Sequence, residues 1–142
     1  MCPYRMDFDR FGGFMREFLL VAVGGFIGTA LRYGVSGVIA RTKMGAAFPL
    51  GTFTVNLLGC LAIGALAALV DTRGILTGTS RAVIFIGVLG GFTTFSSFGY
   101  ETLQLVKGGQ MLAAGSFVVM HFALCLPAVW LGDLAVRALL GR

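Results

Sequence analysis

Charge is scarce in this chain of 142 residues: there are 6 acids against 11 bases, and only 12% of the residues are charged. A soluble domain carries about twice that proportion, so the scarcity excludes an ordinary solvated surface. The chain has one histidine, His121, and one asparagine, Asn56. A lone histidine gives no support to a metal centre built on imidazole. The three cysteines, Cys2, Cys60 and Cys125, form no CxxC pair, and the last two lie inside apolar runs, where they read as small buried apolar residues. No nucleophile stands beside a base, and there is no phosphate loop, so no enzyme class is indicated. The stretch GVLGGF is rich in glycine, but no strand–helix unit surrounds it, which argues against a nucleotide site. The net charge of +5 does not point to nucleic acid, because the bases are scattered around apolar spans and read as loop and end anchors.

Apolar length is abundant. The sequence is 57% hydrophobic, with a mean hydropathy of +0.91, which predicts an all-α membrane protein. A polar tail is expected over 1–17, with Arg5, Asp7, Asp9, Arg10, Arg16 and Glu17, followed by one four-helix transmembrane domain over 18–142. The predicted spans are 18–40, 50–70, 81–107 and 111–131, with room for the last to run on to Leu140. The loops are expected at Arg41–Lys43, at Asp71–Arg73 with the following GILTGTS, and at Lys107–Gly109. Pro49 suits a helix start and Pro127 should kink the fourth span. Gly24 and Gly28 make a GxxxG spacing that lets another helix approach closely, by general packing rather than by a dedicated dimer seam.

Four spans put both termini on one side. Arg5, Arg10, Arg16, Arg73, Arg81, Arg137 and Arg142 share that side, and Arg41, Lys43 and Lys107 lie opposite. This bias mildly favours cytoplasmic termini and leaves insertion in both orientations open. Four thin helices leave little room for a pore inside one copy, so an oligomer is expected.

The stretch 87–101, GVLGGFTTFSSFGYE, is wrong for a plain membrane helix. Gly90 and Gly91 should loosen the backbone, and Thr93, Thr94, Ser96 and Ser97 place four hydroxyls at membrane depth. Hydroxyls satisfy backbone groups freed by a break and also offer protons to an anion. Phe95 and Phe98, three apart, share a face if the second half is helical.

Other polar residues inside spans are few. Thr52 and Asn56, four apart, share one face of the second span, with Gly59 close to the same stripe. Asn56 reads equally as glue between helices or as a donor to a ligand. Arg32 lies about two-thirds along the first span, either in a polar role or snorkelling to the nearer surface. Neutral donors with a cation suit a small anion, whereas proton-coupled pumps more often carry an acid in mid-span. A phenyl rim is weakly positive, so Phe95 and Phe98 could meet an anion edge-on or could simply be packing residues.

GGFIGTALRY at 24–33, GTFTVNLLG at 51–59 and GGFTTFSSFGYE at 90–101 fall in order on the first three spans. In these blocks the sequence resembles the Fluc (CrcB-type) fluoride channel family, over nearly the whole chain beyond the tail. The resemblance implies an antiparallel, dual-topology homodimer in the inner membrane with two fluoride pathways. Asn56 would donate to fluoride, and Phe95 and Phe98 would present ring edges. Ser97 would continue the polar track, with Thr94 and Glu101 contributing. Backbone carbonyls of Gly90 and Thr93 would hold a structural sodium ion on the twofold axis, and Arg32 would take a structural or vestibule role. Where the family has a fourth-span serine this chain has His121, which reads either as a core histidine bonded to a neighbouring helix or as a pathway residue whose neutral imidazole N–H stands in for the hydroxyl. The expected activity is passive export of fluoride. A proton-coupled transporter of the small multidrug type is disfavoured because 18–40 holds no acid, and a non-transporting scaffold because it needs no hydroxyl cluster.

Overall fold

The computed structural model describes residues 8–42, 45, 48–76 and 78–141, with side chains from Gly12 onward. Arg5, Asp7, Lys43 and Arg142, all assigned above to a tail, loop or end, lie outside the described residues, as does the side chain of Arg10. Regular structure among the described residues is helical throughout. Helix α1 is Phe8–Ala40 and α2 is Leu50–Arg73; α3 covers 78–92, α4 is Phe95–Lys107, and α5 covers Met111–Leu139. Four stretches are long and apolar enough to cross a membrane: Gly12–Ala40, Leu50–Arg73, Gly78–Lys107 and Met111–Leu139. The third of these comprises α3 and α4.

Several boundaries differ from the sequence reading. Helix α1 begins at Phe8, so much of the expected tail is helical. Charged residues do not oppose helix formation. Helix α2 begins after Pro49, as expected, but runs on through Asp71 and Thr72 to Arg73. It stops there because Gly74 adopts a left-handed conformation (φ 62°) and its N–H closes on the Val70 carbonyl.

Two helix seams organise the subunit, and both depend on missing side chains. On α1, a methyl group at Gly24 would lie 2.8 Å from the Val83 carbonyl, and one at Gly28 would overlap the Val88 carbonyl. The GxxxG spacing is therefore used inside the subunit, against α3. Helices α2 and α5 approach in the same way, with Gly64 against the Val129 carbonyl and Gly132 against that of Leu61. At one end of this second seam Arg137 Nε donates to Asp133 at 2.7 Å, and Arg137 Nη2 faces Asp71 at 4.0 Å.

Two turns are wound wider than an α-helix. Val83–Leu89 in α3 and His121–Cys125 in α5 are π-wound. The second begins six residues before Pro127 and contains Ala123, whose carbonyl a proline ring four residues on would strike in a plain helix. The wide turn gives that carbonyl room. Gly90 and Gly91, expected to loosen the third span, are helical. The backbone departs from helical geometry a little later, at Thr93 (φ −88°, ψ 159°) and Thr94 (φ −153°, ψ 114°). Gly91 serves a different purpose: a methyl there would lie 2.6 Å from the Gly25 carbonyl.

Candidate functional site

The site is built where the polar stripe of α2 meets the segment 93–101. Each residue of the stripe has its own partner there. Thr52 Oγ1 donates to Glu101 Oε1 at 2.8 Å. Asn56 pairs with Thr94 on both sides of its amide: Nδ2 donates to the Thr94 carbonyl at 3.1 Å, and Oδ1 accepts from the Thr94 N–H at 2.8 Å. Gly59 leaves the space filled by the methyl of Thr93. The sequence placed these three α2 residues on one stripe; it held no signal for what they face.

The hydroxyls of the segment serve its backbone first. Thr94 Oγ1 accepts from the Ser97 N–H at 3.1 Å, which caps the start of α4. Its hydrogen goes to Ser97 Oγ at 3.1 Å. Ser97 thus accepts from Thr94 and keeps its own hydroxyl hydrogen for another acceptor. Thr93 Oγ1 donates back to the Leu89 carbonyl at 3.0 Å. One consequence concerns Gly90 and Thr93. In a helix their carbonyls would accept from the N–H groups of Thr94 and Ser97, four residues on. Those two N–H groups are diverted, to Asn56 and to Thr94 Oγ1.

The rings form a cluster beside the amide pair. Phe95 is 78% exposed, while Phe98 is buried. Their centroids are 5.4 Å apart, on one face of α4 as their spacing predicts. Phe98 packs on Phe117 and on His121, with centroids 5.4 and 4.3 Å away. Phe53 and Phe117 meet the His121 ring edge to face. His121 Nδ1 lies 2.9 Å from the Phe117 carbonyl and Nε2 lies 3.3 Å from Asn56 Nδ2. Phe53 carried no signal in the sequence that set it apart from the other phenylalanines.

Some of these groups line a cavity of about 380 Å³ whose wall includes Asn56, Gly90, Thr93, Thr94, Phe95, Phe98 and His121. Ser97, Glu101 and Arg32 do not line it. Glu101 lies farther along α4, where Oε2 is buried with no hydrogen-bond partner among the described residues. Arg32 is half-buried on α1. Among the described residues no three His, Cys, Asp or Glu side chains gather as a metal site.

Four apolar spans, three of which line a cavity of rings with a few neutral polar groups, define a multi-pass α-helical membrane protein. A family profile described as "CrcB-like protein, Camphor Resistance (CrcB)" matches residues 19–133. The chain is 45% identical over 118 residues to a protein of Methylobacillus flagellatus named fluoride-specific ion channel FluC, covering 83% of this chain and 92% of that one. It is 46% identical over 121 residues to a Roseiflexus protein of the same name, covering 85% and 97%. A Rhizobium etli protein, also so named, is 43% identical over 125 residues, covering 88% and 99%. The chain belongs to the CrcB-like family.

Proposed function

We propose that the chain is a fluoride-selective ion channel of the inner membrane, passing fluoride out of the cytoplasm by electrodiffusion. It is not an enzyme. The observation that carries the reading is the cavity beside Asn56: its wall is mostly apolar, holds the neutral polar residues Asn56, Thr93, Thr94 and His121 among its rings, and carries no acid. Such a wall suits a small, strongly hydrated anion, which needs hydrogen bonds in place of water and no fixed charge that would hold it. The names of the relatives point the same way.

The pathway runs past Asn56, Thr94, Phe95, Phe98 and His121, and continues along Ser97 to Glu101. Phe95 and Phe98 present ring edges to the ion, and the spare hydrogen of Ser97 carries the polar track onward. The functional unit is an antiparallel homodimer, with one copy inserted each way and two pathways enclosed. Its support lies in surface that one subunit leaves open: Phe95, Phe26 and Tyr33 are 78%, 76% and 83% exposed. Membrane lipid covers the outer remainder. The interruption at Thr93–Thr94 is a functional break in the third span, tolerated at membrane depth because protein surrounds it. The diverted amides described above leave the Gly90 and Thr93 carbonyls suited to a hard cation. A structural sodium ion there would be held by both copies of each carbonyl and would offset their desolvation. Arg32 serves the vestibule or the packing of α1.

Purified protein in liposomes loaded with fluoride or chloride tests the reading. Fluoride release detected by electrode, with chloride retained, is the expected result; release of neither ion, or of both alike, would refute selective conduction.

A further inference from the structure

Four polar groups join into one chain across three helices, and its donors and acceptors are fixed. A carbonyl oxygen only accepts, so the Phe117 carbonyl requires the hydrogen of His121 to be on Nδ1, 2.9 Å away. In the neutral ring Nε2 is then a bare lone pair. The Asn56 amide is oriented independently, because the Thr94 N–H needs its oxygen and the Thr94 carbonyl needs its nitrogen. The atom 3.3 Å from Nε2 is therefore Nδ2, presenting its second hydrogen. Donor meets acceptor, and both hydrogens of the Asn56 amide are in use. A neutral imidazole held in this way has no N–H left to offer an anion.

We propose that His121 sets the fluoride affinity of the site as a resident acceptor. Its Nε2 occupies the Asn56 hydrogen that an anion would use, and fluoride must displace it. The inference rests on the channel reading and on the place of Asn56 in the pathway. It also accounts for the ring cage. Phe53, Phe98 and Phe117 surround the imidazole, and the Nδ1 bond anchors it to its own helix. A ring held on these sides stays in position when Nε2 loses Asn56 and recovers the hydrogen when the ion leaves. Exchange of one acceptor for another keeps binding weak, and an ion that binds weakly can move on.

Two variants separate the roles of the ring. His121→Gln places an acceptor oxygen where Nε2 lies, whereas His121→Asn keeps a donor where Nδ1 lies and removes the acceptor. Initial efflux rates from liposomes, measured against internal fluoride concentration, should give the Gln variant the half-saturating fluoride of the parent. The Asn variant should saturate at about five-fold lower fluoride, the worth of one net hydrogen bond. Equal half-saturation in all three proteins would overturn the proposal. A second measurement uses the parent protein alone, so that a misfolded variant decides nothing by itself. With the histidine ring labelled with nitrogen-15, NMR should show Nδ1 protonated and Nε2 bare, and Nε2 should shift with sodium fluoride but not with sodium chloride. A protonated Nε2, or a signal unmoved by fluoride in a protein whose liposomes release fluoride, would sink the acceptor role and leave the channel standing. Liposomes that release no fluoride would sink both.

Discussion

Asn56 does for Thr94 what a neighbouring strand does in a sheet: it accepts from the backbone N–H and donates to the carbonyl of the same residue. Thr94 is therefore not left with bare backbone groups in an apolar setting. Asn56→Leu removes both bonds at once. Each orphaned backbone group costs roughly 1–3 kcal/mol, so thermal unfolding in detergent should fall by many degrees, and a variant as stable as the parent would refute the pairing. The phenylalanines separate differently. Phe95→Ile should lower fluoride flux with no loss of stability, because the ring is largely exposed and isoleucine keeps its bulk but not its positive rim. Phe98→Ile should lower both, since Phe98 is buried against Phe117 and His121; flux equal to the parent's in both variants would return the pair to packing. Local spacing made the shared face of Phe95 and Phe98 legible, and the resemblance named Asn56. It could not give the partner of Asn56, because that contact joins residues 38 apart in sequence, and no periodicity within a helix encodes it.

Among the elements, the seam between α1 and α3 depends on an absent methyl group. Gly28→Ala would drive a carbon into the Val88 carbonyl and to 2.9 Å from the Phe92 nitrogen, both backbone atoms that cannot swing aside. Overpacking of this kind costs about 1–3 kcal/mol. Gly34→Ala, on the same helix with nothing within 4 Å, should be neutral or slightly stabilising. Thermal unfolding of the two variants side by side checks this, and equal behaviour would refute the seam. The four apolar runs were readable from hydropathy because a membrane span demands length and little else. The wide turns were not, since a π-turn is a compromise between a helix and its neighbours and leaves no period of its own. Gly90 and Gly91, expected to loosen the backbone, are helical, and Gly91 is there for close approach to α1.

At the scale of the whole molecule, a third or less of each spanning window is buried within one subunit, so most of the apolar surface must meet lipid or another copy. Single cysteines introduced at each terminus of a cysteine-free background should be labelled from both sides of the membrane if copies insert in opposite directions; labelling from one side only would refute the antiparallel dimer. If the proposed sodium ion is held on a twofold axis by carbonyls of both copies, a sodium gradient imposed across liposomes should not drive fluoride uphill; sodium-driven accumulation would show sodium to be a substrate. The widened turn at His121–Cys125 also bears on how the chain is lined up with its relatives. A π-turn spends one extra residue without advancing the face of the helix, so counting back from the C-terminal end of α5 and counting forward from Met111 give registers that differ by one. A relative whose fourth span is a plain α-helix should align with this one only through a one-residue gap inside 121–125. Deleting a residue there should let the turn revert to a plain α-helix with the face beyond it unchanged, which would keep Gly132 against α2.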